Sequence, residues 1–220
     1  KLNEKAVKIH LVLDDSLNAF VAGGQRLFIN TGLITQAAGA GQIIGVIAHE
    51  TGHISGGHLA RIHDALKKST ATTIISMLLG VTAIVAGRGD VGSVIIATGQ
   101  GISSSNFLKY SRTQESAADH AALKFLDDTS QSAKGLLGFM ELLGEQELLV
   151  TARQDPYVRT HPLTRNRVAA IANHVANSPY SDKAVPQKLE ALFRRAKAKI
   201  IGYFMPLGHT LRIYRRSDNS

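Results

Sequence analysis

The chain has 220 residues, a formal net charge of +8 and no cysteine. This length is enough for one well-packed domain with a short appendage, and the lack of cysteine excludes disulfides and cysteine zinc sites. Apolar and charged contents are those of a folded protein, which excludes general disorder. The basic residues lack the interleaved aromatic residues of RNA-binding modules, so nucleic acid is not an expected partner. Since the chain begins with neither Met nor a signal peptide, a processed or trimmed form is expected.

Three short strands are predicted before the first helices. Residues 9–13, 18–22 and Arg26–Asn30 are apolar runs separated by turn residues. They predict a small antiparallel sheet. An edge strand of such a sheet could hold an extended peptide by main-chain hydrogen bonds.

A metal-binding helix is predicted around residues 45–53. On a helix, His49 and His53 lie about 40° apart on one face and about 6 Å apart along the axis. Two imidazoles with this spacing can hold one tetrahedral Zn²⁺ ion and leave room for a third ligand and a water. Glu50 can reach that water, which is the position of a general base. The alternative is a helix with two structural histidines.

The same helix is expected to continue to about residue 67 in spite of Gly56 and Gly57. On such a helix His58 lies about 180° from His49 and faces away, whereas His63 returns to the same face about 21 Å further along. Both are therefore predicted to be packing or surface histidines.

Residues 69–87 are uncharged, and a second apolar run rich in Gly and Ser follows at 91–102. The first run is just long enough to cross a bilayer, but Thr, Ser and Gly interrupt it. We predict a buried or membrane-apposed helical hairpin over 69–102. A true span, which would make the chain a polytopic membrane protein, is the alternative.

A further helix is predicted over residues 107–127. Glu115 and Asp119 are four residues apart and share one face. Glu115 could supply the third zinc oxygen, and Asp119 could accept the far N–H of a ligating histidine. An exposed acidic face is the alternative, and three other carboxylates are rivals: Asp64, Asp127 and Glu141. The small residues at 117–118 favour the metal site, because they let another helix approach closely.

The remaining elements are helical. An amphipathic core helix is predicted over 132–149, and His161 and Pro162 are predicted to open another with Pro in its first turn. His161 and Arg167 near a zinc site could stabilise an oxyanion. A capping or surface histidine is the alternative.

The C-terminal part is predicted as a linker at 178–186 followed by a helix over Gln187–Phe204. Its basic cluster is interpreted as a solvated helix face, with membrane or nucleic-acid contact as the alternative.

These motifs, taken together and in order, resemble the integral and periplasmic zinc metallopeptidases that include the CAAX prenyl protease and the HtpX heat-shock protease. Within that family the chain is most similar to the periplasmic β-barrel assembly-enhancing protease branch. The resemblance covers about residues 10–175. It is carried by five segments: Asn-Ala-Phe at 18–20, Asn-Thr-Gly-Leu at 30–33, HETGH at 49–53, ESAAD at 115–119, and Thr-His-Pro at 160–162 with Arg167 downstream.

The resemblance implies a mostly helical α+β domain of the gluzincin type, with a small antiparallel sheet beside the H-E-x-x-H helix. It implies one Zn²⁺ per chain, bound by His49, His53 and Glu115, with Asp119 supporting a ligating histidine. It also implies that His161 and Arg167 face the cleft. There they would stabilise the transition state, or His161 would occupy the open position of the metal in a latent state.

Two domains are expected. Residues 1–178 form the zinc metallopeptidase domain, including the hairpin at 69–102, and residues 179–220 form a linker and the start of a truncated tetratricopeptide-like module. The expected function is a zinc endopeptidase acting on unfolded or misassembled proteins in envelope quality control. The expected location is the periplasm of a Gram-negative bacterium, with the inner membrane as the alternative.

Outer-membrane assembly machinery is an expected partner through the helical-repeat module, and contact with a membrane surface is a further expectation. The alternative function is a latent zinc chaperone or assembly factor in which His161 blocks the open position of the metal.

Overall fold

A computed structural model describes residues 7–59, 61, 70–73, 75–79, 81, 88–147, 157 and 161–213. The elements in chain order are β1 Lys8–Val12, β2 Ala19–Ala22, β3 Arg26–Asn30, α1 Thr31–Gln36, α2 Ala40–Gly56, α3 Gly89–Asp128, α4 Lys134–Glu147, α5 Arg165–Asn177, α6 Gln187–Phe204 and α7 Leu207–Ile213. Further helical residues at 58–59, 70–73 and 75–79 lie between α2 and α3. The predicted fold class, mostly helical with a small sheet, is confirmed.

The sheet is mixed, with the strand order β1-β3-β2. β2 pairs antiparallel with β3, as predicted, but β1 pairs parallel with β3. The reason is the connection at residues 13–18, which crosses the carboxyl end of β3 and places β1 and β2 on opposite sides of it. Hydrogen bonds hold this crossing: Thr31 Oγ1 donates to the carbonyl oxygen of Asp14 at 2.9 Å, and the Asn30 amide nitrogen donates to Ser16 Oγ at 2.9 Å.

Helix α2 lies at the centre of the fold and contacts the sheet, α3 and α4. Its apolar side chains at Val46 and Ala48 are buried in a core built from the sheet and helices α1 to α5. His49 and Glu50 are buried on the same helix, at 0% and 1% exposure. Burial of two titratable side chains is costly unless partners compensate for it, so this part of α2 must have partners on a neighbouring helix.

The neighbouring helix is α3, and it approaches α2 very closely at Gly52. A Cβ atom at this glycine would lie 2.6 Å from the carbonyl oxygen of Ala118. Gly52 lies between the two histidines of α2, and Ala118 lies between the two carboxylates of α3. Gly52 and Ala118 therefore set the distance between the two pairs of site residues, as expected for Ala118, whereas Ala117 is exposed and takes no part in this contact.

Helix α3 is a single helix of 40 residues. The prediction that 91–102 and 107–127 are separate segments is wrong, because both lie within this one helix. Five apolar side chains described at 75–81 are between 49% and 65% exposed (Ile75, Met77, Leu78, Leu79 and Val81), so they are not buried in the domain core. Among the described helices, every one is too short or too polar to cross a membrane.

Helix α2 ends at Gly56, and the prediction that it continues to about residue 67 is wrong. Gly57 has φ 63° and ψ 31°, and its N–H caps the carbonyl oxygens of His53 and Ile54. This left-handed conformation favours glycine and is a common helix terminator. The chain therefore changes direction before His58.

Helix α5 begins at Arg165, three residues later than Pro162. Thr164 is its N-cap and accepts a hydrogen bond from the Arg167 backbone N–H, a stronger start than a proline in the preceding segment. His161 thus lies in the non-helical segment before α5 and not on the helix, which corrects the prediction.

Helix α6 packs against α1 and α2. Glu190 Oε2 accepts from the Ala40 backbone N–H at 3.0 Å and so caps the N-terminus of α2, where a carboxylate is favourable. Lys197 Nζ donates to the carbonyl oxygen of Ala37 at 2.9 Å. The predicted helix over Gln187–Phe204 is observed with the same bounds, and it contacts the part of the chain that carries the site.

Candidate metal centre

Helices α2 and α3 bring three metal-type donors together. His49 Nε2 and His53 Nε2 are 3.0 Å apart. Glu115 Oε2 is 3.3 Å from His49 Nε2, and Glu115 Oε1 is 3.3 Å from His53 Nε2. Donor atoms of these three residues and of His161 all lie within 4.8 Å of one another. Two distant segments of the chain therefore converge on one point.

This donor set fits a zinc ion. Tetrahedral zinc with bonds of about 2.0–2.1 Å places its ligand atoms roughly 3.3 Å apart, close to the separations observed. The remaining ring nitrogen of His49 faces the Asp119 carboxylate, so binding of a metal here would use the lone pair on Nε2. The donor atoms of the three residues face one another, and a cation between them, a proton or a metal ion, stabilises this arrangement.

Asp119 and Arg167 contact the metal-type donors His49 and Glu115. Asp119 Oδ1 lies 2.9 Å from His49 Nδ1, although the ring N–H is not aligned as in a regular hydrogen bond. Arg167 donates to both oxygens of Asp119, with Nε at 2.6 Å from Oδ2 and Nη2 at 2.9 Å from Oδ1. Its Nη1 lies 3.1 Å from Glu115 Oε2 and donates to the carbonyl oxygen of Pro162 at 2.9 Å.

Opposite charges in this buried group stabilise the ionised forms of its side chains. Burial alone would raise the pKa of Glu115, but the neighbouring histidines, His161 first, lower it well below its usual range. Burial likewise opposes ionisation of Asp119, but the hydrogen bonds from Arg167 lower its pKa. Burial opposes protonation of His49, but Asp119 and Glu115 outweigh it and raise its pKa to about 9. Both carboxylates are therefore ionised at neutral pH.

Glu50 lies beside the donors but is not one of them. Its Oε1 accepts a hydrogen bond from the Tyr157 hydroxyl at 3.2 Å and is 3.7 Å from His161 Nε2. The Tyr157 ring stacks on His161, with ring centroids 4.3 Å apart. His161 Nδ1 lies 3.2 Å from both oxygens of Glu115, so its imidazole bridges the general-base candidate and the donor set.

A cavity of about 170 Å³ opens beside these side chains. Phe20 and Val21 of the edge strand β2 form part of its wall, together with Leu59. Gln114 also lines the cavity, and its Oε1 is buried without a hydrogen-bond partner among the described residues. An extended peptide in this cavity would meet the apolar side chains of its wall and lie beside Glu50.

The predicted site residues lie in one place, and the two rival carboxylates that the structure describes, Asp127 and Glu141, do not join them. His49, Glu50, His53, Glu115, Asp119, His161 and Arg167 form one cluster. Asp127 contacts His174 and Ser178 instead, and Glu141 is exposed. Asp64 and His63 lie outside the described residues. The predicted roles of the clustered residues stay predictions.

Two residues of the site were not predicted. Tyr157 lies between the two helices predicted at 132–149 and from His161, and no spacing links it to Glu50. His58 was assigned to the wrong side of α2, since the helix was assumed to continue. Its Nδ1 lies 3.0 Å from His53 Nδ1. Burial, followed by the charges of His53 and Arg61, lowers the pKa of His58 to about 4.

The chain is similar to known proteins over most of its length. The sequence profile of Peptidase family M48 matches residues 1–175. The Beta-barrel assembly-enhancing protease of Escherichia coli (strain K12) is 27% identical over 198 residues, which are 88% of this chain and 39% of that protein. Metalloprotease YcaL of the same organism is 27% identical over 177 residues, which are 80% of this chain and 65% of that protein.

A eukaryotic relative is also similar. The Mitochondrial metalloendopeptidase OMA1 of Schizosaccharomyces pombe is 25% identical over 167 residues, which are 74% of this chain and 45% of that protein. The chain spans about two-fifths of the length of the first of these relatives. These identities apply only to the part of each relative that the chain matches.

Proposed function

Because the chain belongs to peptidase family M48, we propose that it hydrolyses internal peptide bonds of protein substrates, with one zinc ion held by His49, His53 and Glu115. The observation that carries this proposal is the convergence of those three donors at 3.0–3.3 Å. When bound, zinc supplies a Lewis acid and lowers the pKa of a water to about 7.

Glu50 is proposed as the general base. Its buried carboxylate adjoins the donor set, and it would take a proton from the attacking water and return it to the leaving amine. The Tyr157 hydroxyl keeps Oε1 of Glu50 oriented towards the site. Asp119 would hold His49 in the tautomer whose Nε2 is free for the metal.

Substrate binding is proposed along β2. This strand is at the edge of the sheet and lines the cavity with Glu50 and His53, so an extended peptide can add to it by main-chain hydrogen bonds. His161 is proposed to gate the open position of the metal, because it contacts Glu115 and approaches Glu50. In this arrangement His161 must withdraw, or donate to the developing oxyanion, when substrate enters. Arg167 reaches the site through its contacts with Asp119 and Glu115 and through a hydrogen bond to the carbonyl oxygen of His161.

The test measures metal content and cleavage together. We expect one zinc per chain by elemental analysis, cleavage of casein that a chelator abolishes, and its recovery on adding zinc. A protein that binds zinc, but cleaves nothing as wild type or as His161→Ala, would favour the latent assembly factor. Higher cleavage by His161→Ala would support a protease whose cleft this histidine gates.

Zinc uptake is expected to depend on pH through His49. Its pKa of about 9 means that it carries a proton at pH 7 in the metal-free protein, and a ligating imidazole must be neutral. Zinc binding should therefore release about one proton at pH 7, and the apparent affinity should rise about tenfold from pH 7 to pH 8 and level off above pH 9. Calorimetry in buffers of different ionisation enthalpy measures the number of protons released on zinc binding. A zinc affinity that stays the same between pH 6.5 and pH 8 would contradict the prediction.

The biological setting is proposed from the relatives. The name Beta-barrel assembly-enhancing protease suggests that misassembled envelope proteins are substrates, in the periplasm or at the inner membrane of a Gram-negative bacterium. Residues 1–178 would be the peptidase domain, and 179–220 would begin a tetratricopeptide-like module that contacts outer-membrane assembly machinery. The exposed apolar side chains at 75–81 suit contact with a membrane surface. Cross-linking of a Glu50→Gln variant in envelope fractions tests this setting, and recovery of cytosolic proteins alone would contradict it.

A further inference from the structure

The imidazole of His58 lies directly behind the proposed zinc ligand His53. The two Nδ1 atoms are 3.0 Å apart, and the rings meet edge to face at 85° with centroids 4.9 Å apart. His58 is only 6% exposed. A buried ring nitrogen requires a hydrogen-bond partner, and for His58 Nδ1 that partner is His53.

The chain uses two consecutive glycines to place this ring. Gly57 ends α2 in the left-handed conformation and turns the chain back, at φ 63°. The His58 ring then covers Gly56, where a Cβ atom would overlap its Nε2. A side chain at Gly56 would thus displace the ring, and an ordinary residue at Gly57 would be strained. Both glycines therefore allow the contact between His58 and His53.

The proton positions at His53 follow from its two neighbours. Its Nε2 faces His49 Nε2 and Glu115 Oε1 at 3.0 and 3.3 Å, so a metal ligand here needs the lone pair on Nε2. The proton then resides on Nδ1, which donates to His58 Nδ1. His58 consequently carries its own proton on Nε2.

We propose that His58 is a positioning residue that orients the zinc ligand His53 and fixes its tautomer. This inference rests on the proposed function, because it presupposes a zinc ion between His49 and His53. His58 does for His53 what Asp119 does for His49, but with a neutral acceptor in place of a carboxylate.

A neutral acceptor suits the charge of the site. Glu50, Glu115 and Asp119 already place three carboxylates within one buried group, and Arg167 is within ion-pair distance of only the last two. A carboxylate at position 58 would add a fourth negative charge against His53. An imidazole supplies the same hydrogen bond without that charge.

Zinc affinity, measured by competition with a chelator, tests the proposal. We expect His58→Ala to weaken zinc binding by about 10–100-fold. His58→Asn should recover most of the loss, since its Oδ1 can occupy the place of Nδ1 as an acceptor. Gly56→Ala should weaken binding like His58→Ala. The control is His120→Ala. His120 is an exposed histidine of α3 whose Nδ1 lies 2.7 Å from the carbonyl oxygen of Ser116 in its own helix, and the zinc affinity of this variant should equal that of the wild type.

Each outcome either supports or overturns the proposal about His58. Unchanged affinity in His58→Ala overturns the proposal and leaves the proposed function intact, because the wild type still binds zinc. Failure of His58→Asn to recover affinity would show that His58 only fills space. X-ray absorption of the zinc-loaded protein should give the same number of imidazoles in the wild type and in His58→Ala, and loss of one would show that His58 is itself a ligand. A wild type that binds no zinc overturns both the inference and the proposed function.

Discussion

Substitution of Glu50 by Gln is expected to lower kcat for peptide hydrolysis by about 10²–10⁴-fold, the usual contribution of a general base. The amide has nearly the shape of the carboxylate and keeps an oxygen for the Tyr157 hydroxyl, which lies 3.2 Å from Oε1. It cannot accept a proton from water. Zinc content should stay at one per chain, because Glu50 is outside the donor set of His49, His53, Glu115 and His161.

The measurement combines initial rates on a fluorogenic peptide with zinc analysis of the same samples. Glu141→Gln is the matched control, since Glu141 is an exposed glutamate on α4, and its rate should equal that of the wild type. A zinc-loaded Glu50→Gln protein that retains more than a tenth of the wild-type kcat would remove Glu50 from the role of general base.

Substitution of Arg167 by Met is expected to lower the free energy of unfolding by about 3–5 kcal/mol, as is usual when one partner of a buried ion pair is removed. Arg167 is 4% exposed and holds Asp119 through two hydrogen bonds. Without it, Asp119 and Glu115 are left as buried carboxylates with fewer compensating charges. Arg167→Lys should recover only part of the loss, because an ammonium group cannot form the paired contacts of a guanidinium.

Urea unfolding in the presence of a chelator measures this effect without a contribution from metal binding. Arg165→Met is the matched control, because Arg165 is exposed and lies on the same helix, and its effect should stay within about 0.5 kcal/mol. Equal midpoints for the two variants would show that the contacts of Arg167 contribute little to stability.

The family and the fold class were predictable from the sequence, because ordered local motifs indicate both. His49 and His53 share a helix face by spacing alone, and so do Glu115 and Asp119. The convergence of the two pairs was predictable only through the resemblance and the small residues at 117–118. The close approach of Gly52 to Ala118 supplies the physical basis of that convergence.

What the sequence did not predict depends on changes of chain direction. His58 reaches His53 only because Gly57 adopts the left-handed conformation and ends α2, whereas helical spacing alone places it on the opposite face. The parallel pairing of β1 with β3 depends on the path of the crossing at 13–18. Tyr157 is placed by tertiary packing against Phe139 and His161, for which no local pattern exists.

The backbone contact between α2 and α3 at Gly52 also bears on how the binding energy of an ion is used. In many small metalloproteins the metal joins segments that are otherwise apart, so much of its binding energy is consumed in ordering the chain. Here the polypeptide already holds both helices at their final separation through Gly52 and Ala118. An ion entering between them would close no new loop, so little of its binding energy would be consumed in ordering the chain.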